Sequence, residues 1–169
     1  MPLRLAWPYR GLAQAALRLR QSLMAVVRCH MSQRVLPLAG KLATDVEAKR
    51  KWVLGHYERD PETSYSTVEA KLLLLDTILS NAWVEPSETV KLQALGVAFG
   101  DALAQQLGLT WVAIDDEHGC DPALVLEGTS VKIFPLTSIS KRVEAGEPVN
   151  IHELFAAACS TIKRISNDA

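Results

Sequence analysis

The sequence predicts an α+β domain: three N-terminal helices, a three-stranded antiparallel meander, and two C-terminal helices packed on the sheet. Three observations carry that reading. Apolar residues recur at helical spacing in three successive stretches up to residue 107. From residue 109 the period changes to two, and the runs are separated by turn chemistry too short for parallel crossovers. From residue 136 the helical period returns with capping signals.

Residues 1–30 differ in kind from the rest. No acid occurs before Asp45, while Arg4, Arg10, Arg18, Arg20, Arg28 and Arg34 are scattered through an Ala/Leu-rich stretch. Leu12, Ala16, Leu19, Leu23 and Val26 fall on one helical stripe, so a basic amphipathic helix is expected here. Three readings stay open: a membrane-surface helix, an organelle-targeting peptide, or a tail added by an upstream start codon, with Met31 opening ordinary composition. The arginines interrupt every apolar run before it reaches the length of a secretory core or a transmembrane span. The chain is therefore divided into an extension, 1–30, and a single domain, 31–169.

Leu42, Val46, Val53 and Tyr57 mark the first helix, with Asp45 and Lys49 four apart in the favourable order and Asp60-Pro61 as its stop. Ser66 with Glu69 three later forms a capping box for the second. Its stripe of Val68, Leu72, Leu75, Leu79 and Ala82 is widened by Leu73, Leu74 and Ile78, which predicts a helix central to the core. Ser87, behind Pro86 and ahead of Glu88, is placed to cap the third. There Leu92, Leu95, Phe99, Ala102, Leu103 and Leu107 form the buried face, while Gly96, Gly100 and Ala104 stand four apart on an adjoining ridge. An interior Gly costs about 1 kcal/mol against Ala, so the ridge predicts close approach of another backbone. Asp101, Gln105 and Gln106 exclude a lipid setting, and Gly108 suits the left-handed residue that ends a helix.

Residues 109–114 are apolar on both faces and predict a strand covered on both sides. Asp115, Asp116, Glu117, His118, Gly119, Cys120, Asp121 and Pro122 read as one turn segment. Residues 123–126 and 131–134 predict the second and third strands, joined by the turn of Glu127, Gly128 and Thr129. A short helix over 136–146 carries Lys141 and Arg142. The last helix opens with Asn150 and Glu153 as a capping box and Val149 against Leu154 as a staple, and it buries Ile151, Leu154, Phe155, Ala158, Ile162 and Ile165.

Composition bounds the function. At 169 residues, 49% of them hydrophobic, the chain is long enough for a core without disulfides or metal, and its net charge of −1 argues against a disordered chain. Residues 1–30 hold five of the 18 basic residues and none of the 19 acidic ones, so the domain proper carries −6, which disfavours nucleic acid. Cys29, Cys120 and Cys159 are odd in number and far apart, which suggests reduced thiols in a cytoplasm.

Five stretches carry a resemblance: KRKWVLGHYERD at 49–60, STVEAKLLLLDTIL at 66–79, EPSETVKLQALGVAFGDALAQQLGLTWV at 85–112, DEHGCDPAL at 116–124 and GTSVKIFPLTSISKRVEAGEPVNIHELF at 128–155. Together they make residues 31–165 resemble a bacterial family known as domain of unknown function 3806. The resemblance implies a compact cytoplasmic α+β unit and brings no activity, cofactor or site residue with it. His118, where the family pattern has an aromatic such as Tyr, and Cys120, where larger polar residues are common, depart from it. A mechanism that needs either side chain is correspondingly disfavoured.

The chemistry-bearing candidates each have a plainer reading. Asp115, Asp116, Glu117, His118 and Asp121 offer the oxygen-rich donor set of a hard cation, but lack the alternating spacing of a calcium loop and are ordinary turn formers. No metal or cofactor is assigned. His118 and Cys120 have no further pair of ligands for zinc. No G-x-S-x-G elbow, phosphate-cradling glycine loop or His-Glu helix motif occurs. Cys159 lies on an Ala-rich face where burial is the simpler reading, and Trp52, Trp83 and Trp111 read as core or core-edge aromatics. Two functions are carried forward. One is a noncatalytic protein-binding or regulatory module presenting Asp115, Asp116, Glu117 and Asp121 beside the cationic Lys141 and Arg142. The other is a hydrolase that uses the same carboxylates, with or without a metal.

Overall fold

The structure is a computed structural model, and it describes residues 33–57 and 60–167. The expected amphipathic helix of residues 1–30 lies outside the described residues. The chain divides after Arg34 into two units, and nearly all of the described residues belong to the second, Val35–Ala169. The elements in order are β1 (Arg34–Pro37), α1 (Gly40–Leu54), a single turn α2 (Pro61–Ser64), α3 (Val68–Ser80), α4 (Thr89–Leu107), β2 (Thr110–Asp116), β3 (Gly119–Val125), β4 (Lys132–Ile133), α5 (Leu136–Glu144) and α6 (Ile151–Asn167).

The α+β class and the antiparallel hairpins are present, and three details of arrangement differ from expectation. The sheet has four strands in the order β1-β2-β3-β4, because residues 34–37 add an edge strand. A four-residue run with all of its residues exposed has no apolar alternation to announce it. Secondly, the two C-terminal helices pack chiefly on other helices, α5 on α4 and α6 on both α3 and α4, rather than on the sheet. Thirdly, the central helix is α4, not α3. Every residue from 94 to 100 on α4 is buried, whereas Leu73 on α3 is 64% exposed. A helix buried all round belongs at the middle of the packing.

The glycine ridge explains how α4 is enclosed. A Cβ at Gly96 would stand 2.5 Å from the Pro135 carbonyl oxygen and 2.8 Å from Leu136 Cα, so the backbone entering α5 lies directly against α4. At Gly100 the added carbon would meet the Trp111 ring at 2.7 Å and the Pro135 ring at 2.9 Å. Gly108 ends α4 at φ 69°, its N–H donating to the Ala104 carbonyl at 2.9 Å.

Two predicted helix starts move by one residue. Thr67, not Ser66, caps α3 by accepting from the Ala70 N–H at 3.1 Å, while the Ser66 hydroxyl closes the preceding turn on the Thr63 carbonyl. Glu88, not Ser87, precedes α4, and its carboxylate is held by the Glu85 N–H and Lys91. Asn150 does cap α6, its side-chain oxygen accepting from the Glu153 N–H at 3.1 Å. Residue 57 lies beyond α1, which stops at Leu54. The chain then turns through Asp60, at φ 37°, into the unexpected α2.

Candidate functional site

The segment 115–122 is a tight hairpin, not an eight-residue turn. Pairing runs from Thr110↔Val125 to Asp116↔Gly119, which places Asp115 and Asp116 on β2, Cys120, Asp121 and Pro122 on β3, and only Glu117 and His118 in the turn. The acids do not stop the strand because adjacent pairs still satisfy the backbone, and Asp116 itself shapes the turn by accepting from the His118 N–H at 2.9 Å. Pro122 faces Ala113 at a point beyond the reach of β4, where β3 is locally an edge and the missing donor costs little.

At the tip, the Glu117 and His118 side chains are 66% and 83% exposed, 3.6 Å apart. Below it the structure opens a cleft of about 490 Å³ between the hairpin, α1 and the start of α5. Asp116, His118 and Asp121 line it from the hairpin, Asp45 and Lys49 from α1, and Lys141 from α5. Val46, Pro122 and Leu136 supply apolar wall, and Phe134, 37% exposed, stands at its edge. Asp121 and Lys141 are open to solvent. Of the six residues singled out from sequence, three therefore converge: Asp116, Asp121 and Lys141. Asp115 and Glu117 are not part of the lining, and Arg142 points to a different cleft, bounded by α4, β4 and α6.

Beside the apolar packing of Leu124 in the core, a polar cluster that neither motif nor periodicity announces ties the hairpin to the helices. Asp101 sits near the middle of α4 and is contacted from α1, from the residue that follows α2 and from β2. Arg50 of α1 grips it with two N–H groups, Nε to Oδ2 at 2.7 Å and Nη2 to Oδ1 at 3.0 Å. The Tyr65 hydroxyl donates to Oδ2 at 2.7 Å, and the Trp111 indole N–H of β2 donates to Oδ1 at 2.8 Å. The hydrogen bond to Asp101 is the main cause holding the Arg50 guanidinium firmly protonated. Burial, then the Asp101 charge, pushes the Tyr65 phenol far above its usual range. Alongside, buried Lys71 donates to Gln105 at 2.6 Å and stands 4.7 Å over the Tyr65 ring, with its pKa lowered by burial. One signal is legible in the sequence: Asp101 is the single acid of α4 and stands next to the buried-face residues Ala102 and Leu103, so it needs partners if it is buried. The partners themselves are not, being 51, 36 and 10 residues away.

The remaining candidates separate. Cys159 is half-buried against the core, where burial raises its thiol pKa, and Cys120 is exposed. Trp52 and Trp111 pack at the core edge, but Trp83 is 52% exposed and stacks on His56 at 6.3 Å. Among the described residues no three His, Cys, Asp or Glu side chains come together as metal ligands. No helix among them is long and apolar enough to cross a membrane.

The family described as Domain of unknown function (DUF3806) matches residues 71–155, half of the chain. A crystal structure at 1.50 Å resolution from Bacteroides thetaiotaomicron VPI-5482 is similar with a TM-score of 0.63 and 20% identity, over 75% of this chain and 47% of that one. At that identity the likeness speaks for the fold alone, and the matched region is about half of the neighbour's length. No curated protein matches.

Proposed function

The chain belongs to the DUF3806 family, a domain of unknown function, and from that premise we propose that it is a noncatalytic binding module of the cytoplasm, using the hairpin cleft to hold a protein partner. The observation that carries this reading is the convergence of Asp116, Asp121 and Lys141 on one open cleft with Asp45 and Lys49. Charges of both signs at a solvent-open rim suit a partner with complementary charges, where they set orientation and encounter rate. The exposed Phe134 edge supplies the apolar anchor that such interfaces concentrate their energy on. A rigid base is also in place, since Trp111 ties β2 to Asp101 and so fixes the hairpin on α4.

The test is affinity measurement against a partner first captured by the wild-type chain and then purified. Asp116→Ala, Asp121→Ala and Phe134→Ala are each expected to weaken binding about tenfold or more, which corresponds to about 1.4 kcal/mol. Lys163→Ala, on exposed α6 surface, should leave it unchanged. Binding that survives all three cleft variants, or a hydrolytic activity of the wild type that they abolish, would overturn the proposal.

A further inference from the structure

Lys141 and Arg142 are adjacent in the chain but line different clefts, because side chains one residue apart on a helix do not share a face. Arg142 opens on a second cleft, of about 540 Å³, between α4, β4, α5 and α6. That volume lies within the range of about 300 to 1,000 Å³ usual for small-ligand sites. Its floor is the core itself: Phe99, Leu103, Val131 and Ile162 are each at most 5% exposed. On the α6 side, Ala157 and Ala158 keep the trough clear, and Ile165 lies at its far end.

Two cations line this cleft, the exposed Lys132 of β4 and the half-buried Arg142 of α5, and Arg142, the less hydrated of the two, gives it a direction. Its Nη1 donates to the Ser138 carbonyl at 2.5 Å, and among the described residues no carboxylate pairs with it. A guanidinium presents five N–H donors in a planar fork suited to taking both oxygens of a carboxylate. Beyond Arg142 the trough continues into a hollow lined by Pro148, Asn150 and Glu153. The Glu153 charge repels an anion there. An acid group is thus stopped at Arg142, and an attached chain runs the other way, over Ala158 toward Ile165.

We propose that this cleft binds a medium-chain monocarboxylate, with the carboxylate on Arg142 and the acyl chain laid along α6. From Ala157 to Ile165 the helix rises about 12 Å, at about 1.5 Å per residue, the reach of an extended chain of about ten carbons. The apolar floor stabilises the chain by removing it from water, and the carboxylate neutralises a guanidinium that has already lost part of its hydration.

The test is calorimetric titration of the full chain with sodium decanoate below its micelle-forming concentration. One saturable site is expected, with decan-1-ol bound at least tenfold more weakly. Arg142→Gln should weaken decanoate at least tenfold and bring it level with the alcohol. Ala157→Phe, at an exposed position, should fill the trough and abolish binding while the melting temperature stays close to that of the wild type. If Arg142→Gln fails to fold, the Ala157→Phe result and the preference for acid over alcohol decide the matter. Absence of saturable decanoate binding, equal affinity for decan-1-ol, or full binding by Ala157→Phe would each overturn the proposal.

Discussion

Asp101 shows how much a single residue can organise. Its side chain is 12% exposed and accepts from a guanidinium on α1, a phenol just after α2 and an indole on β2. Removing its charge leaves Arg50, a quarter exposed, without its bidentate partner. Breaking such a pair costs about 3 to 5 kcal/mol when fully buried, and solvent at Arg50 reduces that here. We therefore expect Asp101→Asn to lower stability by about 2 kcal/mol, with urea unfolding shifted in midpoint at an unchanged slope. Arg50→Lys should destabilise in the same direction, since a point charge cannot reproduce the two-pronged geometry. From sequence, Asp101 is legible as the single acid of a helix unsuited to lipid, in need of partners if buried. Its partners come from tertiary folding and have no local signature.

At the scale of elements, the packing of α5 on α4 depends on a surface without side chains. Gly96→Ala improves helix propensity by about 1 kcal/mol, but its Cβ would meet backbone that cannot rotate away. Overpacking of this kind costs about 1 to 3 kcal/mol, so a net loss is expected. The measurement is thermal unfolding: a melting temperature at or above that of the wild type would show that α5 is not seated against α4 as described. The same contact brings Lys141 to the hairpin cleft, because Pro135 and Leu136, which touch Gly96, lead directly into α5. The glycine spacing announces a close approach, and periodicity finds α1, α3, α4, α5 and α6. It misses β1 and α2, which are one turn or four residues long and bury too little to leave a pattern.

For the whole molecule, the polar cluster makes alkaline stability a readout of the fold. Tyr65 has its folded-state pKa raised above the ordinary 10.0, first by burial and then by Asp101. Its contribution is fully present below pH 10 and is lost as pH rises above it, because the unfolded chain releases the proton first. Lys71 has the opposite sign. Its pKa is lowered from 10.5 by burial, so the unfolded chain holds its proton longer and stability rises with pH up to about that value. The expected profile of melting temperature is a gentle rise toward pH 10 and a fall beyond it. Tyr65→Phe should blunt the fall, leaving the part due to Tyr57, whose pKa burial also raises. An unaltered alkaline limb in Tyr65→Phe would place that phenol in solvent, contrary to the structure.

The sequence by itself determined the α+β class, five of the helices, the antiparallel hairpins, the close approach at Gly96 and the end of α4 at Gly108. These follow from periodicity, turn chemistry and the steric demands of residues near one another in the chain. Tertiary structure alone decided that Lys141 and Arg142 serve different clefts, that α4 rather than α3 is the centre, and that Asp101 is the polar hub. Each of those depends on which distant segments meet. Burial and pairing across tens of residues are set by how whole faces fit, and no local pattern encodes that.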